Sequence, residues 1–122
     1  MTNVFNTLKT ALSDILQFDG SIGNSKSGAL RLEITEETKT AVLSIALPDP
    51  TIPQLHLLSA TGIIFISILL PSYPHALTII GEAGQKFGTG HEQPIVEKSK
   101  EGSLTMTYDR NSCVYDFHVR LL

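Results

Sequence analysis

Five side chains in the C-terminal third carry the residue types from which a polar site could be built: His91, Gln93, Glu97, Asp116 and His118. On an extended strand His91 and Gln93 point to one face, and a carboxylate four residues further on returns to it. Imidazole and carboxylate together suit a transition metal or a small polar ligand. The metal set read from this spacing is His91, Glu97 and His118, with Gln93 and Asp116 as further ligand-binding candidates. Asp116 and His118, two apart on one strand, would form an acid/base pair if their face lined a pocket. As cross-strand neighbours of Thr105 and Ser103 they would simply face solvent.

The spacing His91-x-Gln93-x-x-x-Glu97 resembles the first metal motif of the cupins, with glutamine in place of the second histidine. The resemblance covers seven residues. The glycine that precedes the family's motif falls on Gln85, and the one that follows falls on Leu104. His118, in the place of the distant third histidine, lacks the asparagine four residues later. What the resemblance implies is a small barrel with an ion or polar ligand at its mouth.

Other chemistries fail on detail. The segment Gly81 to Gly90 has four glycines in ten residues, yet Lys86 follows Gln85 and Phe87 stands where a phosphate loop needs a hydroxyl. Gly88-x-Gly90 lacks the third glycine of a dinucleotide fingerprint. No serine occupies a Gly-x-Ser-x-Gly elbow, and no residue is assigned a catalytic role. The histidines, His56, His75, His91 and His118, do not share the short spacing of structural zinc sites. Cys113 has no adjacent base and reads as a small core residue of a strand.

Composition sets outer bounds. The 122 residues are enough for one domain, expected to span 1–122 with a helix over 3–18 and a β-rich core over 29–122. Nine basic and twelve acidic residues, scattered along the chain, give a net charge of -3. That offers no footprint for nucleic acid or an anionic bilayer. A single cysteine and the lack of a secretory signal lead us to expect a cytoplasmic protein. Apolar residues make up 42% and charged residues 17%, so apolar surface is left over that a homo-oligomer would hide.

The elements that must position these residues emerge from periodicity. Phe5, Leu8, Leu12, Ile15 and Leu16 draw one stripe down a helix capped by Thr2 or Asn3. Ala29 to Thr35 and Thr40 to Leu47 alternate, and the loop Glu36 to Lys39 sets Ile34 opposite Ala41, Leu32 opposite Leu43 and Leu30 opposite Ile45. Ser103 to Tyr108 and Cys113 to Leu121 alternate likewise. A two-residue loop at Arg110-Asn111 would set Met106 opposite Tyr115 and Leu104 opposite Phe117. Leu55 to Leu70 is apolar at all but His56, Ser59, Thr61, Gly62 and Ser67. It is shorter than the roughly 20 residues of a membrane span, and β-branched residues and flanking prolines suggest buried strands over 55–60 and 63–70. Further strands are expected at 75–80 and 95–97, with loops at 21–28 and 81–94.

These expectations sum to a mainly β, α+β domain: one N-terminal helix on an antiparallel barrel or sandwich of about eight strands, with cupins as the reference architecture. Two functions are compatible with it, a non-enzymatic binding or interaction module that self-associates, or a cupin-like barrel holding a metal or polar ligand. The first assigns no cofactor and the second a transition metal.

Overall fold

A computed structural model describes the backbone of residues 3–46 and 52–122 and the side chains of 3–46 and 59–122. Ten elements succeed one another: α1 (Val4–Ala11), β1 (Gln17–Asp19), β2 (Ile22–Asn24), β3 (Leu30–Thr35), β4 (Thr40–Ala46), α2 (Ile52–Leu69), α3 (Ala76–Gly88), β5 (Ile95–Lys98), β6 (Gly102–Asp109) and β7 (Val114–Leu121). The strands form one open antiparallel sheet in the order β1-β2-β3-β4-β7-β6-β5. Of the expected barrel or sandwich, the closed barrel is corrected to an open sheet, and among the described residues about eight strands become seven and one helix becomes three. Leu47, Pro48 and Pro50 lie outside the described residues.

The N-terminal stripe packs as its spacing requires. The Asn3 side chain accepts from the Phe5 N–H at 2.9 Å and caps α1. Phe5, Leu8, Leu12 and Leu16 are all buried. The helix itself stops at Ala11, short of Phe18. The chain then turns through 12–15, where the Leu16 N–H still reaches the Leu12 carbonyl at 2.9 Å, so the stripe continues past the helix. Asp19-Gly20 begins the tight turn joining β1, which takes up the end of the expected helix, to β2, which lies in the segment expected to be loop.

The two long hairpins illustrate how alternation sets faces and turns set register. Ile34 faces Ala41, Leu32 faces Leu43 and Leu30 faces Ile45, all buried, as the four-residue loop demands. In the C-terminal hairpin the loop is Arg110 to Cys113, not Arg110-Asn111, so Met106 faces Phe117 and Leu104 faces Val119. The slip is by two residues, which leaves every side chain on its expected face. Cys113, expected inside a strand, closes this loop with φ +56° and is half-exposed.

The largest correction concerns Leu55 to Leu70 and the segment from Ala76 to Gly88. Instead of two strands the first run forms most of α2, and 76–88, read as a strand and a glycine-rich loop, forms α3. Pro53 falls in the first turn of α2, where a missing N–H costs nothing, and Pro71 lies just beyond its end. In α3 the buried residues are Ala76, Ile79, Ile80, Ala83 and Phe87, a helical stripe, with Gly81, Gly84 and Gly88 on the exposed side.

All three helices lie on one face of the sheet. Phe5, Leu8, Phe65, Ile66, Leu69, Ile79 and Phe87 join Leu32, Leu43, Leu104, Phe117 and Val119 in one buried cluster. Among the described residues no helix is long and apolar enough to cross a membrane. Two substitutions probe the packing. A Cβ on Gly102 would meet the Arg120 carbonyl oxygen and lie 2.9 Å from the Leu121 Cα. Backbone cannot move aside cheaply, so Gly102→Ala should cost about 3 kcal/mol or more in urea unfolding. Thr61 is buried on α2, and its Oγ1 has no hydrogen-bond partner among the described residues. The isosteric Thr61→Val removes that unsatisfied group and should raise stability by about 1 kcal/mol in the same assay.

Candidate functional surfaces

The sheet separates the candidate residues. His91 and Gln93 lie in the exposed connection between α3 and β5, not on a strand, so alternation does not aim them at a common point. The His91 N–H donates to the Lys86 carbonyl at 3.0 Å, and its ring sits 5.9 Å from that of Phe87. Glu97 is on β5 opposite Leu104, half-buried on the helix side. There burial of the Tyr73 phenol, joined by the charges of Glu97 and Glu82, raises that phenol above its ordinary value.

Asp116 and His118 lie on β7, on the opposite face. Asp116 is set between Ser44 and Thr107, and its Oδ1 accepts from the Ser44 hydroxyl. His118 sits exposed between Val42 and Thr105. The neighbours of this pair are thus Thr107 and Thr105 rather than Thr105 and Ser103, the same two-residue slip. Metal ligands must converge within about 2.3 Å of one ion. Glu97 and His118 project from opposite faces of one sheet, and His91 stands in a loop beyond its edge. Among the described residues no group of three or more His, Cys, Asp or Glu is placed to hold a metal ion. A cleft of about 530 Å³ near Asp14, Asn24 and Lys26 contains none of the five candidates.

Two broad surfaces remain. The open face of the sheet carries Arg31, Glu33, Thr35, Val42, Ser44, Thr105, Asp116, His118 and Arg120, with Val96 54% exposed on β5. Charges of both signs are interspersed there; Arg31 and Glu33 approach to 3.7 Å, an exposed pairing of little energetic weight. The outward face of the helix layer is different. Helices α1, α2 and α3, of 8, 18 and 13 residues, contain Lys9, Glu82 and Lys86 as their only Asp, Glu, Lys or Arg side chains. On α2, which has none, Ala60, Ile64 and Ser67 are exposed and Ile63 and Ile68 half-exposed. Leu77 on α3 is 70% exposed. Sequence reasoning missed this surface because it took α2 and α3 for strands and loop.

Two further clusters fix the ends of the layers. Tyr108 and Tyr115 stack across β6 and β7 with centroids 4.4 Å apart, and Phe87 lies about 6 Å from each. Burial raises both phenols. Arg110 passes 5.7 Å from the Tyr108 ring and donates to the Phe87 carbonyl at 2.7 Å, closing the C-terminal end of α3. At the other end Glu101 Oε1 accepts from the Ser72 N–H and the Ser99 hydroxyl, each at 2.9 Å. The bonds from Ser72, then that from Ser99, hold the Glu101 carboxyl below its ordinary value. A carboxyl lowered by folding stabilises fully above the unfolded value of about 4.3 and loses that contribution as pH falls through the lower folded value. In denaturant unfolding from neutral pH into the acid range, Glu101→Gln should therefore show a shallower acid-side decline than wild type.

In comparisons with known proteins, the chain matches no protein-family model, no curated protein and no solved structure.

Proposed function

We propose that this chain is a non-enzymatic binding module, an interaction domain that works through the outward face of its helix layer. One observation carries the reading: a layer containing only Lys9, Glu82 and Lys86 as charged residues leaves Ile64 and Leu77 exposed, in a chain that is 17% charged overall. A surface helix ordinarily turns a charged face to water. Depletion of charge around exposed aliphatic side chains is instead the composition of an interface core. Fully burying one such side chain is worth about 1.5–3 kcal/mol, enough for a few of them to drive association.

The dispersal of His91, Glu97 and His118 leaves the metal-binding alternative without a common site to support it. The reading is tested with an apolar fluorescent dye, bis-ANS, at nanomolar protein, where weak complexes dissociate. Wild type should enhance the dye's emission, and Ile64→Asp and Leu77→Asp should each lower the enhancement severalfold. Thr105→Asp, on the open sheet face, should leave it unchanged. Equal enhancement by wild type and both helix variants would overturn the assignment of this face.

A further inference from the structure

We infer that the open face of the sheet carries an anion site where Lys98 and Arg120 flank Ser103, and that the site takes a phosphate dianion, free or carried by a small molecule. The register sets the arrangement. Lys98 lies opposite Ser103 and Ser103 opposite Arg120, so the three side chains stand in one row across β5, β6 and β7 and on one face. At about 4.8 Å between neighbouring strands, the two cations start roughly 10 Å apart. Both side chains are long enough to lean inward over the serine between them. A cleft of about 600 Å³ opens at this row, lined by Lys98, Gly102, Ser103 and Arg120 among others, a volume within the range of small-molecule sites.

No carboxylate neutralises the row. Among the described residues Arg31 and Glu33 form the one ion pair, which leaves Lys98 and Arg120 without an acidic partner. Thr40 and Thr35 continue the row, and Val96, Thr105 and His118 make up the next one. Asp116 lies one row further on and accepts from the Ser44 hydroxyl. Glu101, in the adjoining turn, directs its Oε1 to the Ser72 N–H and the Ser99 hydroxyl. The chain as a whole carries a charge of -3, so the positive excess at this row is local and not the trace of a basic surface.

The residue types select the ligand. A guanidinium presents paired N–H donors that match two oxygens of a phosphate, and an ammonium supplies a compact charge for a third. The Ser103 hydroxyl, half-exposed between them, is a further donor. Two cations without a counter-charge suit a dianion better than a monoanion, because each contributes its own attraction.

The test is an amide chemical-shift titration of the full chain by NMR at about pH 8, where phosphate is a dianion, with ionic strength held constant by sodium chloride. Inorganic phosphate should give saturable shifts confined to residues 98–103 and 118–121. Lys98→Gln and Arg120→Gln should each weaken that binding roughly tenfold, since each removes a charge-assisted hydrogen bond. Lys26→Gln, beyond the opposite end of β3, should leave it unchanged. Lys98 and Arg120 are both exposed, and the same spectra report whether each variant is folded. Tighter binding of glycerol phosphate than of inorganic phosphate would assign the rest of the cleft to the group that the phosphate carries, and equal affinity would make free phosphate the ligand. Acetate binding as tightly as phosphate, shifts that do not saturate by about 20 mM, or wild-type affinity in both variants would overturn the site.

Discussion

The ladder between β4 and β7 runs through seven residue pairs, from Thr40 opposite Arg120 to Ala46 opposite Val114, and makes one sheet of strands drawn from both ends of the chain. Four strands come before it in sequence and three after, with α2 and α3 in between. Without that seam the sheet would fall into a four-stranded meander and a three-stranded one, each with an additional unpaired edge. Closing so long a loop costs little more than closing a short one, because the entropy grows only with the logarithm of length. The contact must still be secured by burial, and α2 packs over it, touching both β4 and β7.

That position explains why α2 is apolar on its inner side and flanks. Its inner side meets the seam, and its flanks meet α1 and α3. At the crossing, a Cβ on Gly62 would lie 2.8 Å from Ile80 Cδ1 and 3.5 Å from Phe117 Cε2, so glycine admits the close approach of α3 and the sheet. Phe65, Ile66 and Leu69 fill the space beneath. The outer stripe is the one part of the described helix that the fold itself leaves uncovered, and it is the basis of the interaction reading.

The two faces of the molecule differ in their chemistry as a result. The open sheet face is a mixture of threonines, serines and charges of both signs, with Asp116 held by Ser44 and Arg31 near Glu33. Such a surface is well solvated, with Val96 as its one exposed large apolar side chain among the described residues. The helix face has two, Ile64 and Leu77. The polar residues whose spacing suggested a site are divided between the sheet face, the sheet edge and the loop after α3, while of the apolar run expected to form strands Ile63, Ile64 and Ile68 reach the helix surface and Phe65, Ile66, Leu69 and Leu70 are buried.

Local alternation was legible in the residues themselves. The β3–β4 register, the buried face of β6 and β7, the Asn3 cap and the stripe from Phe5 to Leu16 all depend on residues within one or two turns or on a single loop length. Four-residue loops ending at Lys39 and Cys113, both at φ +56°, replaced the assumed two-residue turn only in the second hairpin. Tertiary structure decided the rest. Leu55 to Leu70 has apolar residues on every side, so neither the strand period nor the helix period stands out. Its conformation was settled by the need to cover the seam. The glycines of α3 read as a loop because the buried stripe from Ala76 to Phe87 has meaning only once a sheet lies beneath it. Glu97 and His118 share no surface for a reason no spacing contains: they occupy different strands and opposite faces, and the distance between them is set by the fold, not by the chain that links them.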